Sequence, residues 1–253
     1  MIRRLNHELV LSLLPDRNPW GHKGNFGKLL LLCGSRGYTG AAFFAAMGAL
    51  RSGAGLVFLG GPESIYGIEA VKLNEPVIFP LPDAGGRLSA DAVPEILTRL
   101  PQMDAVLVGP GLGQSEGTLA VVRAVLEKAE CPVVVDADGI NVLSAHRDLL
   151  RGRKSPTILT PHDGEFARLG GVIGEDILHL GGVAAERSGI EVCLEGPSWA
   201  DYISEEQLTV KPGHAPHRGG VGVAEISGHA DSSSGFKPVV FLRGCQRRER
   251  GRE

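Results

Sequence analysis

Four short apolar runs, each cut off by glycines or a polar turn, constrain this chain more than anything else in it. Lys28 to Cys33 ends at Gly34-Ser35-Arg36-Gly37. Ala105 to Val108 ends at Gly109-Pro110-Gly111-Leu112-Gly113, Pro132 to Val135 at Asp136-Ala137-Asp138, and Thr157 to Thr160 at Pro161-His162. Short runs that stay apolar at every position, without polar alternation, read as strands covered on both faces, the pattern of a parallel sheet. Helical stretches separate them: Gly40 to about Ser52, Ser89 to Leu97 with Ser89 as N-cap, and Glu116 to Ala129. Further strands are predicted over Gly55–Gly60, Pro76–Leu81 and Gly189–Leu194. The alternation predicts an α/β fold, a mostly parallel central sheet with helices on both faces.

Composition fits that frame and excludes others. A length of 253 residues suits one large α/β domain. A net charge of −3 gives no reason to expect nucleic acid or a membrane surface as partner. The four cysteines, Cys33, Cys131, Cys193 and Cys245, form no CxxC pair, so free thiols in a reducing compartment are expected. Met1 to Glu8 lacks the apolar core of a secretory signal, and no apolar run approaches a membrane span. The expectation is a cytoplasmic protein. Glycine, 36 of 253 residues, is about twice its usual share, and it gathers at the ends of the apolar runs.

In open α/β proteins ligands bind at those strand ends. Gly34 to Ala41 links a strand to a helix, which suits an anion at the helix N-terminus or simply an ordinary turn. It is neither GxGxxG nor a Walker loop. Gly109 to Gly113 leaves room for a large planar ligand, or is a structural turn. Asp136 and Asp138 offer oxygens of the kind Mg²⁺ takes, and Asp138 alternatively caps the following helix. His162 is read as a ligand contact against the alternative of a structural histidine, with Glu165 as a possible cap for a helix beginning near Phe166.

Six segments in order, His22 to Lys28, Gly34 to Ala41, Arg51 to Val57, Gly109 to Gly113, Asp136 to Asn141 and Leu159 to Phe166, resemble the ADP/ATP-dependent NAD(P)H-hydrate dehydratases. This family is the repair-enzyme branch of the ribokinase-like fold. The resemblance implies that the hydrated nicotinamide ring of (S)-NADH or NADPH hydrate loses its water, with phosphoryl transfer from ADP (or ATP) and Mg²⁺ driving the step. It also implies a homo-oligomer, a tetramer in relatives. By resemblance, Ala41, Gly111, Gly113 and His162 contact the hydrated dinucleotide, and Gly196, Ser198 and Gly222 the nucleotide.

The family's Lys-Gly-x-x-Thr loop corresponds here to Glu195-Gly196-Pro197-Ser198-Trp199, with opposite charge at the lysine position. Its anion-hole sequence ends in an aspartate base. The corresponding stretch, Arg218-Gly219-Gly220-Val221-Gly222-Val223, ends in valine, so no catalytic base is assigned. Residues 1–212 are read as the ribokinase-like domain. Residues 213–253, with one leucine (Leu242), a Ser232-Ser233-Ser234 run and a basic end, are read as an aberrant tail, disordered in composition, that a shifted reading frame would explain. Two other functions stay open: a small-molecule kinase of this fold acting on a vitamin-precursor alcohol, and a nucleotide-binding remnant without chemistry.

Overall fold

The computed structural model describes residues 14, 17–150 and 153–170, together with the backbone of short strands at 2–4, 191–192, 202–204, 222–224 and 241–243. In chain order the strands are β1 (Ile2–Arg4), β2 (Lys28–Leu32), β3 (Leu56–Pro62), β4 (Val77–Leu81), β5 (Asp83–Ala84), β6 (Arg87–Leu88), β7 (Ala105–Val108), β8 (Val133–Val135), β9 (Thr157–Leu159), β10 (Glu191–Val192), β11 (Tyr202–Ser204), β12 (Gly222–Ala224) and β13 (Phe241–Arg243). The α-helices are α1 (Thr39–Arg51), α2 (Glu63–Lys72), α3 (Val93–Arg99), α4 (Glu116–Lys128), α5 (Asp138–Leu143) and α6 (Asp163–Arg168).

Seven strands form the central sheet in the order β10-β9-β8-β7-β2-β3-β4, and every neighbouring pair is parallel. The expected α/β architecture is what the chain adopts. It enters the sheet in the middle at β2, steps outward through β3 and β4, then returns to the other side of β2 at β7 and steps outward again. Strand order therefore reverses between β2 and β7, the kind of switch point at whose carboxyl ends open α/β sheets bind ligands.

Successive strand residues serve opposite faces, and both faces are apolar. Leu30, Leu32, Val106, Val108, Val133, Val135 and Leu159 pack under α3, α4 and α5 through Ile96, Val121, Val125, Ile140 and Leu143. Leu29, Leu31, Val57, Leu59, Leu107, Val134 and Ile158 pack under α1, whose Ala42, Ala46 and Ala49 are small enough to let it lie close. Burying strands on both faces is what the unbroken apolar runs require. Ser89 caps as expected, its hydroxyl accepting from the Asp91 N–H, but the first turn, Ala90–Ala92, is a 3₁₀ turn before α3.

Two elements were not legible beforehand. Helix α2 carries only Ile65 and Glu69 as buried residues, so it has no apolar stripe to announce it. The β5–β6 hairpin turns on Gly85 (φ +62°) and Gly86 (φ +82°), the left-handed pair that a tight two-residue hairpin needs. The strand expected over Gly189–Leu194 is present at Glu191–Val192, paired parallel with β9. The proposed boundary at 212 and nearly all of 213–253 lie outside the described residues, apart from β12 and β13, which pair with each other. Among the described residues no helix is long and apolar enough to cross a membrane.

Candidate functional site

The loops after β2 and β7 close on each other across the switch point. Gly34 N–H donates to Pro110 O (2.8 Å) and Gly109 N–H to Leu32 O (3.1 Å). Gly111, at φ +65°, backs directly onto the start of α1: a Cβ there would lie 2.7 Å from Ala41 Cβ and 3.0 Å from Tyr38 Cβ. Ala41 and Gly111, far apart in sequence, thus share one wall. Thr39 and Gly40, the first residues of α1, have backbone N–H groups without partners among the described residues, and such groups favour an anion.

The loop after β8 joins the same edge. Asp138 Oδ2 accepts the Gly113 N–H at 2.8 Å, and the Thr118 hydroxyl donates to Gly113 O at 2.7 Å. Asp136 Oδ1 accepts the Thr160 hydroxyl at 2.9 Å, tying the end of β9 to the end of β8. Of the two readings for Asp138, the one in which it caps α5 does not hold. Asp138 is the first helical residue, and Ala137 stands in the cap position at φ +49° with no side-chain cap bond. A non-glycine residue held there costs about 1–3 kcal/mol. The carboxylate that would have capped the helix instead reaches across to Gly113.

His162 follows β9 and caps α6. Its Nδ1 accepts the Gly164 N–H (3.0 Å), Glu165 Oε2 accepts the His162 N–H (3.0 Å), and His162 Nε2 lies 3.4 Å from Glu165 Oε1. Helix α6 begins at Asp163 rather than near Phe166, and Glu165 caps it from its third position, as the partner in a capping box. The His162 ring remains 56% exposed at the open edge of the sheet.

Ala41 and Gly111 therefore meet, Gly113 follows two residues on in the same loop, and His162 stands at the same carboxyl edge two strands along. Gly196 and Ser198 lie outside the described residues. Gly222 and Val223 lie in β12, where Val223 pairs with Leu242. An extended strand turns successive N–H groups to opposite sides, unlike the convergent N–H groups of an anion hole.

Cys33 directly follows β2 and is fully buried. Burial, and then the Asp136 charge, push its thiol well above the usual range, which makes it a packing residue and not a nucleophile. Cys131 is also a free thiol. Among the described residues no three metal-ligating side chains gather. The residues that sequence reasoning missed here are Ser35, buried with its hydroxyl unpartnered among the described residues, and Arg87, whose side chain lies against Gly113. Gly85-Gly86, read as a hairpin turn, would have revealed the second.

Comparison with known proteins gives the same picture. A model of the NAD(P)H-hydrate dehydratase family matches residues 29–211. The bifunctional NAD(P)H-hydrate repair enzyme of Moorella thermoacetica is 38% identical over 239 residues, covering 90% of this chain and 45% of the relative. The ADP-dependent (S)-NAD(P)H-hydrate dehydratase of Bacillus subtilis is 40% identical over 171 residues, 65% of this chain and 55% of the relative. The chain thus spans about half the length, or less, of these relatives. A crystal structure of the Bacillus subtilis ADP/ATP-dependent NAD(P)H-hydrate dehydratase, co-crystallised with ATP/Mg²⁺, superposes with TM-score 0.61 at 30% identity, covering 76% of this chain and 66% of that one. A ribokinase-like superfamily protein of Enterococcus faecalis, at 21% identity and TM-score 0.69 over 80% of this chain and 69% of its own, shares the fold. The chain belongs to the NAD(P)H-hydrate dehydratase family.

Proposed function

We propose that this chain descends from ADP-dependent (S)-NAD(P)H-hydrate dehydratases and binds hydrated NADH or NADPH in the crevice between β2 and β7. The observation that carries the reading is the contact of Ala41 with Gly111, at a switch point whose loops follow the order of the family. Two small residues leave a flat wall for a ring. Ala41, Gly111, Gly113 and His162 hold the dinucleotide in this reading, and Gly196, Ser198 and Gly222 the ADP or ATP.

Mg²⁺ fits the donor set in one limited way. Asp136 gives one oxygen to Thr160 and Asp138 one to Gly113, so these carboxylates supply few direct ligands. Mg²⁺ is commonly held by one or two carboxylates with nucleotide phosphates and water completing its shell. When bound, it neutralises phosphate charge. The work left to the chain itself is to orient the dinucleotide with the loops at Ala41, Gly111 and His162, and to exclude water from the crevice floor with the buried Leu112.

Valine cannot accept a proton, so the position where the family carries its base offers none; a positioned general base is worth about 10²–10⁴-fold in rate. The assay is incubation with ADP and (S)-hydrated NADPH, following AMP release and regained nicotinamide absorbance. Turnover above the uncatalysed rate supports the enzyme reading. Binding without any AMP establishes the second reading, a non-catalytic remnant, which Val223 favours. Val223→Asp is expected to give no gain, because β12 is extended. A hundredfold gain would show that the anion-hole loop forms.

The family domain is proposed to end near residue 212, with 213–253 an aberrant tail from a shifted frame. The family match stops at residue 211, in support. The Moorella match, at 90% of the chain, takes in more residues than 1–212 contain, so some likeness runs further. An uninterrupted frame on resequencing overturns the proposal. A cytoplasmic homo-oligomer, a tetramer as the resemblance implies, is the proposed state, checked by light scattering.

A further inference from the structure

We propose that Arg87 is the anion contact of the crevice, its guanidinium taking a phosphate of the hydrated dinucleotide beside Gly113. The inference rests on reading the crevice as a dinucleotide site.

Gly113 has no free polar group to offer. Its N–H is held by Asp138 and its carbonyl by Thr118. What it presents is its Cα at φ +74°, and that surface is covered by Arg87: a Cβ on Gly113 would fall 2.8 Å from Arg87 Cδ and against Nε. A ligand arriving at Gly113 meets the guanidinium first.

Arg87 is exposed, and among the described residues its side chain has neither an ion pair nor a hydrogen bond. Other arginines are engaged. Arg99 pairs with Glu95 and lies over Phe79, Arg153 holds the carbonyls of Leu126, Ala129 and Cys131, and Arg168 holds Asn141. The acids around the crevice are already served. Asp83 accepts from Ser64 N–H (2.7 Å) and Gly86 N–H (3.2 Å) and faces Arg36, Asp136 accepts from Thr160, and Asp138 from Gly113. Lys72 donates to the Thr39 hydroxyl at 3.2 Å. Among the described residues the Arg87 guanidinium has no ion-pair partner and lies against Gly113.

The hairpin makes this a placed charge. Leu88, next to Arg87, is buried in the core, and Asp83 closes the turn by bonding Gly86. Arg36 N–H donates to Gly86 O (2.8 Å), joining the hairpin to the loop after β2. A guanidinium meets phosphate with two parallel N–H bonds, which a lysine cannot do.

Wild type, Arg87→Gln and Arg87→Lys are titrated calorimetrically with (S)-hydrated NADH, (S)-hydrated NADPH and inorganic pyrophosphate, beside thermal melts. Arg87→Gln is expected to melt like wild type and to bind at least about tenfold more weakly, with Arg87→Lys in between. Loss for both dinucleotides assigns the contact to their shared phosphates, and loss for hydrated NADPH alone assigns it to the extra ribose phosphate. Unchanged binding of every probe by Arg87→Gln overturns the proposal. A wild type that binds pyrophosphate through Arg87 but ignores both dinucleotides retires the dehydratase reading and leaves the anion contact standing. A wild type that binds none of the three overturns both.

Discussion

Asp138 Oδ2 accepts the backbone N–H of Gly113 at 2.8 Å, binding the first turn of α5 to the loop after β7. This bond ties the buried Gly113 to the first turn of α5. Asp138 is half-buried, so the bond contributes toward the lower end of the range for charged acceptors, about 1.5 kcal/mol. Asp138→Ala is expected to lower Tm by a few degrees and to weaken hydrated dinucleotide binding, with Asp138→Asn restoring part of both. A melt identical to wild type would show that the bond carries nothing.

Gly111 and Gly37 both sit at positive φ, +65° and +90°, but only Gly111 has neighbours where a Cβ would go. Gly37→Ala should cost only the left-handed penalty, about 1–2 kcal/mol. Gly111→Ala adds the 2.7 Å clash with Ala41, so it should cost about 1–3 kcal/mol more and narrow the crevice. Chemical denaturation of the two variants gives the difference, and equal losses would mean that the Ala41–Gly111 wall is soft.

His162 caps α6 and is proposed to contact the ligand, and the two roles are separable. His162→Ala removes the cap of α6 at about 1 kcal/mol along with any ring contact to ligand. His162→Asn keeps a side-chain acceptor for the Gly164 N–H and removes the ring. The expected result is a nearly unchanged melt for His162→Asn with dinucleotide affinity reduced as in His162→Ala. Full affinity in His162→Asn would leave His162 as a cap alone.

Glu69 is 2% exposed, and its two carboxylate oxygens have no partner among the described residues. Burial pushes its pKa up from 4.5, with Lys72 opposing. An acid whose folded pKa is raised favours folding while protonated. Its contribution is complete below the unfolded value near 4.5 and is lost as pH rises through the folded value. Glu69→Gln should therefore be more stable than wild type at neutral pH, with the advantage vanishing below about pH 4.5. Denaturation midpoints from pH 4 to 8 measure this, and a constant difference across that range would contradict it.

Much of the fold could be read from residues alone. Leu29 to Leu32, Val106 to Val108 and Val133 to Val135 stay apolar on both faces of the strand, and only a sheet covered twice can bury them. The candidate residues taken from the resemblance, Ala41, Gly111, Gly113 and His162, all lie at the strand-end edge that glycines and polar residues mark. Helix α2 was not, since its buried side holds one isoleucine and one glutamate.

Local patterning dictated where the main apolar strands run and that both faces of the sheet must be covered, though not the β5–β6 hairpin. It could not dictate that β7 returns beside β2 and so makes a switch point there. Nor could it dictate that Asp138 turns away from its own helix toward Gly113, or that Arg87 lies over that glycine. These are pairings between distant segments, decided by which side of β2 the chain packs on after β4, and no periodicity along one segment records that choice.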